Sequence, residues 1–195
     1  MLQSAVRTKR RMAILDFDIE NRPLSYKGRD WTTSEVTAIA ASFGPDEPMH
    51  CWLLGVNDPV DMLREFRALY DRAEVVTGHY IRKHDLPLVN GAMIEYGLPP
   101  LGGKLTCDTY FDLAKLSGVG KSQENLAVML GVDAPKVGMS EAAWRSANRL
   151  QLDGIVSTRR RVTGDVIQHM QLRKALLDLG WLTEPRRWEP RRAAK

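Results

Sequence analysis

Asp16, Asp18 and Glu20 alternate with apolar residues in the run M-A-I-L-D-F-D-I-E at 12–20. A two-residue period places the three carboxylates on one face of a β-strand and Leu15, Phe17 and Ile19 on the other. Carboxylates in such a row repel one another unless water, cations or hydrogen bonds compensate. Oxygen-only ligands suit Mg²⁺ or Mn²⁺ rather than zinc, so the chemistry open to this strand is divalent-metal chemistry. Two further carboxylates stand at element ends. Asp85 opens a helical pattern just past a short apolar strand, and Asp165 opens the last amphipathic pattern of the chain. Each of these alone reads as an ordinary helix cap; together, an α/β fold can converge them.

The elements that must position these residues follow from periodicity and punctuation. Strands are expected at 12–19, 36–43, 50–54, 74–78 and 105–108, the first ended by Asn21-Arg22-Pro23 because proline donates no ladder hydrogen bond. Helices are expected at 59–71, 85–96, 110–116, 123–130, 141–152 and 164–179; in the last, Val166, Met170, Leu172, Leu176 and Leu179 make the apolar stripe. Early strands, then alternating elements, then helices predict an α/β fold, a mixed sheet flanked by helices.

The 195 residues include 28 Lys and Arg against 24 Asp and Glu, a net charge of +4. The charge is unevenly placed. Segments 1–11 and 185–195 each carry a net +4, which leaves the body, 12–184, at −4. The chain therefore reads as one acidic domain over 12–184 between a basic N-terminal tail and a basic C-terminal tail, and such tails bind polyphosphates by counterion release. With 44% hydrophobic and 27% charged residues it is neither collagen-like nor disordered. Cys51 and Cys107 are the only cysteines, which excludes a disulfide scaffold and suits a reducing, cytoplasmic setting. No apolar stretch reaches the length of a signal peptide or a membrane span, so no membrane partner is expected.

Three segments in order carry a resemblance. F-D-I-E-N at 17–21, T-G-H-Y-I-R-K-H-D-L-P at 77–87 and G-D-V-I-Q-H-M-Q-L at 164–172 resemble the three motifs of the DEDD, or proofreading-type, 3′–5′ exonuclease superfamily. C-D-T-Y-F-D-L at 107–113 and S-Q-E-N-L-A-V-M-L-G-V at 122–132 are similar to the segments between them, and the likeness runs over about residues 12–180. The resemblance implies an RNase H-like fold and a metal-dependent nuclease, a phosphodiester hydrolase acting on the 3′ end of single-stranded nucleic acid, DNA favoured over RNA. It implies that Asp18, Glu20, Asp85 and Asp165 are both catalytic residues and ligands of two Mg²⁺ or Mn²⁺ ions. Asp16 lies outside the motif and is expected to deepen the negative field. A bacterial or phage-encoded enzyme, DNA repair and a polymerase or replication/repair partner are further implications of the family; the oligomeric state is left open.

The pattern also departs from the family. Where a tyrosine normally stands four residues before the third-motif aspartate, or a histidine five before, this chain has Arg161 and Arg160. Arginine cannot serve as a base at neutral pH. A catalytically degenerate nucleic-acid-binding module of the same fold is therefore the alternative reading. Arg159, Arg160 and Arg161 together are expected to grip the phosphate backbone, and His84, where phenylalanine is usual, to stack on a base or sugar. His169, one turn along the helix from Asp165, or His84 is the alternative source of a base, although His169 alone reads as an ordinary histidine on the helix surface.

Overall fold

A computed structural model describes residues 12–25, 32–113, 115–134 and 136–190. The basic segment 1–11 and residues 191–195 lie outside the described residues. In chain order the elements are β1 (Ile14–Ser25), β2 (Thr32–Ser42), β3 (His50–Leu53), α1 (Pro59–Arg72), β4 (Val75–Gly78), α2 (Asp85–Glu95), β5 (Lys104–Asp108), α3 (Gln123–Met129), α4 (Glu141–Asn148), α5 (Leu152–Asp178) and β6 (Arg186–Trp188). The strands form one mixed sheet in the order β3-β2-β1-β4-β5-β6. β1, β2 and β3 run as an antiparallel meander, β4 and β5 lie parallel to β1, and β6 is antiparallel to β5. This is an α/β fold compatible with the RNase H-like architecture.

The alternation in β1 divides the protein into layers. Leu15, Phe17 and Ile19 pack with Met62, Leu63 and Phe66 of α1 and with Leu86, Val89 and Met93 of α2. On the opposite face Ala38, Ala40 and Leu53 of the sheet meet Val162, Val166 and Met170 of α5. The carboxylate row of β1 faces α5. A second seam, Leu113 and Leu126 against Leu172 and Leu176, ties α3 to the far half of α5.

Several elements differ from the sequence expectation. β2 starts earlier, at Thr32, and the helix expected at 141–152 ends at Asn148. Three others differ for local reasons that bear on the site. β1 does not stop at Pro23: it pairs with β2 through Ser25, with a register shift between Glu20 and Asn21. Past Asp16 it pairs only with β2, and a strand free on one side tolerates a residue that cannot donate. The described residues of 110–116 are not helical: 110–112 make a turn and Leu113 bridges to Leu182. Asp108 accepts the backbone N–H groups of Tyr110 (2.9 Å) and Phe111 (3.2 Å), and Asp112 accepts that of Asp108 (2.9 Å); such side-chain bonds compete with helix formation.

The third difference concerns Asp165 directly. α5 does not begin at Gly164 but runs unbroken from Leu152, so Asp165 and Arg159–Arg161 share one 27-residue helix. Gly164 sits beneath Val137, where a Cβ would lie 3.0 Å from the valine Cγ2. It is a point of close packing, not a helix start. Gly154 serves likewise at the crossing with α4, since a Cβ there would fall 2.1 Å from the backbone N of Ala147. At the other edge Arg186–Trp188, read from sequence as the start of the basic tail, pairs with β5 as a strand of the sheet.

Candidate metal centre

The helical period of α5 sets the polar side of the site. Arg161, Asp165, His169 and Arg173 recur every four residues and form one stripe along the helix. That stripe lies against Glu20, Asp18 and Asp16 of β1. At one end Arg161 Nε donates to Glu20 Oε1, and Arg161 Nη2 lies 3.7 Å from Asp165 Oδ2. At the other end Asp16, fully buried, accepts from Arg173 through both carboxylate oxygens (3.0 and 2.8 Å) and pairs with His169 Nδ1 at 2.9 Å.

Asp85 arrives from the opposite layer. β4 ends at Gly78, where a Cβ would lie 2.3 Å from Ile81 Cγ2 and 2.7 Å from Phe17 O; only glycine lets the chain turn this close to β1. The following loop is tied to the end of β5. Asp108 accepts the backbone N–H of Tyr80 and of Arg82, both at 3.0 Å, and the Arg82 guanidinium forks onto Asp112 at 2.6 Å. Tyr80 holds a left-handed backbone at φ 68° within this loop, a strained conformation for a non-glycine residue. The loop delivers His84 and Asp85 to the N-terminus of α2, with His84 Nδ1 3.4 Å from Asp85 Oδ2.

Asp18, Glu20, Asn21, His79, His84, Asp85, Ser122, Gln123, Lys136, Arg161 and Asp165 line one open cavity of about 270 Å³. Within it, ligand oxygens of Asp18, Glu20 and Asp165 all lie within 4.8 Å of one another. Their electrostatics are those of an under-compensated cluster. Burial, then the charges of Asp85, Asp165 and Glu20, pushes the Asp18 carboxyl well above the ordinary carboxylate value. Burial raises Glu20 against the pull of Arg161, and Asp165 against Lys136 and Arg161. Asp85 is raised by burial despite its bond with His84, and that bond in turn raises His84. Asp165 Oδ1 is buried with no hydrogen-bond partner. An orphaned carboxylate oxygen in an oxygen-only donor set is what a hard divalent cation would satisfy, so this acidic triad fits a metal ion.

All four carboxylates singled out by sequence line this cavity, as does His84. The arginine run divides: Arg161 enters the site, whereas Arg159 and Arg160 are exposed, and the Arg159 charge acts on Cys51 in β3. Two expectations are corrected. Asp16 does not deepen the negative field: burial works upward on its carboxyl, but His169 and Arg173 outweigh it and hold the group below its ordinary value. His169 is not a surface residue but 2% exposed and bonded to Asp16. Sequence reading passed over His79, Gln123 and Lys136. His79 pairs with Thr109 Oγ1 at 2.9 Å, and burial, with the charges of His169 and Lys136, lowers it to about 3. Gln123 Nε2 donates to the Asp165 carbonyl (3.0 Å) and to Gln168 Oε1 (3.1 Å), which fixes α3 on α5 beside the site. His79 was signalled only by its place in the second motif.

No helix among the described residues is long and apolar enough to cross a membrane. No protein-family model and no curated protein sequence matches the chain. Its fold does match solved structures. One is the family B DNA polymerase of the hyperthermophilic archaeon Pyrobaculum calidifontis, at a TM-score of 0.63 and 17% identity over 86% of this chain. The match takes in 25% of the polymerase, so what the two share is a fold, over about a quarter of the larger protein.

Proposed function

We propose that the protein is a metal-dependent 3′–5′ exonuclease that hydrolyses phosphodiester bonds at the 3′ end of single-stranded nucleic acid. One observation carries this reading: Asp18, Glu20 and Asp165 converge to within 4.8 Å, with Asp85 beside them, in an open cavity. The three sequence motifs and the fold shared with part of a DNA polymerase support it, and that neighbour favours DNA over RNA.

Asp18, Glu20, Asp85 and Asp165 would hold Mg²⁺ or Mn²⁺. Bound there, a divalent cation would supply Lewis acidity to the attacking water and to the phosphoryl and leaving 3′-oxygens. The rest falls to the chain's own groups. Lys136 lines the cavity as a cation for the phosphodiester. His84, with 44% of its side chain exposed, presents a planar ring at the mouth for the terminal nucleotide. Neither Arg160 nor Arg161 takes a proton from water, so none of the α5 arginines is the base. A role in repair or beside a polymerase, in the cytoplasm, accords with this activity and with the basic ends of the chain.

The second reading, a nucleic-acid-binding module without hydrolysis, draws on the ion pairs that Arg161 makes with Glu20 and Asp165. Incubation of 5′-labelled single-stranded DNA and matched RNA with Mg²⁺ or Mn²⁺ separates the two. A ladder shortening from the 3′ end, reduced at least about 10³-fold by Asp18→Ala or Asp165→Ala, is expected. Salt-sensitive binding with no metal-dependent shortening would establish the module instead.

A further inference from the structure

Arg161 stands inside the carboxylate cluster rather than beside it. Its guanidinium donates to Glu20 Oε1 and forms an ion pair with Asp165 Oδ2 at 3.7 Å, so it engages two of the three residues that approach within 4.8 Å. Its other contacts immobilise it. Nη1 donates to the Val137 carbonyl at 3.1 Å, the Trp144 ring lies 5.4 Å from Cζ, and only 17% of the side chain is exposed. A fixed positive charge therefore occupies carboxylate oxygens that a cation would otherwise take. What it leaves is specific: Asp165 Oδ1 is buried and unpartnered, within the same 4.8 Å cluster as Asp18.

We propose that Arg161 is a built-in counter-cation that takes the place of a second ion, so that Asp18, Glu20, Asp85 and Asp165 would hold a single Mg²⁺ or Mn²⁺ ion. This inference rests on the metal-dependent reading above and refines its stoichiometry from two ions to one. Charge balance supports it. Four ionised carboxylates are neutralised by Arg161, Lys136 and one divalent ion; a second ion would leave two positive charges uncompensated in a half-buried site. Guanidinium is weakly hydrated and forks onto carboxylates, so it can hold a place that would otherwise need a dehydrated metal ion. The arginine at this position, which cannot serve as a base, is thereby given a role: it sets how many ions the site accepts.

Titration of the full-length, metal-stripped protein with Mn²⁺ alone, followed by calorimetry and by the electron paramagnetic resonance signal of free Mn²⁺, tests this. Wild type is expected to bind one ion per chain. Arg161→Gln, which keeps a polar side chain without the charge, is expected to bind two, the second at least about tenfold tighter than any second ion on wild type. Arg161→Lys, which restores the charge, is expected to return to one. Two ions of similar affinity on wild type would overturn the inference and leave the nuclease reading standing. A cooperatively folded Arg161→Gln that still binds one ion would also overturn it. If wild type and Arg161→Gln both bound none, the metal-dependent reading would fall first and this inference with it.

Discussion

Asp16 and Asp18 lie two residues apart on the same face of the same strand, under the same helix, yet their surroundings oppose each other. Asp16 is fully buried and matched by the bidentate Arg173 fork and by His169, and its carboxyl is held below the ordinary value. Asp18 is half-buried among Glu20, Asp85 and Asp165, with one arginine for the group, and its carboxyl is pushed well above that value. Both arginines belong to one α5 stripe. Arg173 spends both arms on one carboxylate, whereas Arg161 divides itself between two. At one end of the stripe a carboxylate is matched by two partners, though His169 Nε2 is left without one; the other end leaves carboxylate oxygens short of positive charge. Burying a carboxylate is costly unless it is paired, so a protein that leaves one cluster unmatched beside a matched one holds a site that gains from a cation.

The sharpest way to break this comparison is to neutralise each aspartate in turn and measure unfolding by denaturant in the presence of a chelator. Asp16→Asn removes the counter-charge and one acceptor oxygen from a part-buried guanidinium and a buried imidazole and is expected to cost about 3 kcal/mol. Asp18→Asn removes a charge that its neighbours repel and is expected to raise stability by about 1 kcal/mol in the metal-free protein. Equal losses from both substitutions would mean that the two ends are not different in kind.

His79 sharpens the comparison because it feels both ends, the charge of His169 on one side and that of Lys136 on the other. Folding lowers its pKa from 6.5 to about 3. The unfolded chain therefore takes up a proton below about pH 6.5, and the folded chain does not until far lower. A depressed histidine costs stability as pH falls, by about 2 kcal/mol at pH 5 relative to pH 8. His79→Gln is expected to lose about that much less than wild type between those pH values, in denaturant melts run without metal. An unchanged pH profile would place the titration elsewhere.

The alternation of β1 was legible in the sequence, as were the positions of the first three strands and the helical starts at Asp85 and Gln123, because these follow from short-range periodicity and capping; the order of the strands in the sheet was not. The partner of Asp16 was not, because its ligands are 153 and 157 residues away on a helix. Alternation says which face a side chain takes, not what packs over it. The four-residue spacing of Arg161, Asp165, His169 and Arg173 was present in the sequence. It was hidden by reading Gly164 as a helix boundary, when its lack of a side chain serves contact with Val137. With α5 cut there, Arg161 fell outside the helix and the polar stripe lost its first member. The turn at 110–112 was hidden in the same way, since Asp108 and Asp112 are acids that cap locally rather than sit on a helix face.

The smallest effect tests what keeps Arg161 in place. Trp144 projects from α4 to lie 5.4 Å from its guanidinium carbon, and α4 is itself pinned on α5 at Gly154 and through Ser146 Oγ, which meets Asp153 Oδ1 at 2.5 Å. A cation–π contact at a part-buried site contributes about 0.5–1 kcal/mol, and Arg173 at the matched end has no such contact among the described residues. Trp144→Leu keeps an apolar side chain against α5 and removes only the π face. It is expected to cost about 1 kcal/mol in wild type and distinctly less in the Arg161→Gln background, a coupling that a double-mutant cycle of denaturant melts measures directly. Additive losses would show that Trp144 packs on α5 without holding the arginine. Arg161 would then be oriented by Glu20, Asp165 and the Val137 carbonyl alone, and the two ends of the stripe would differ only in their acids.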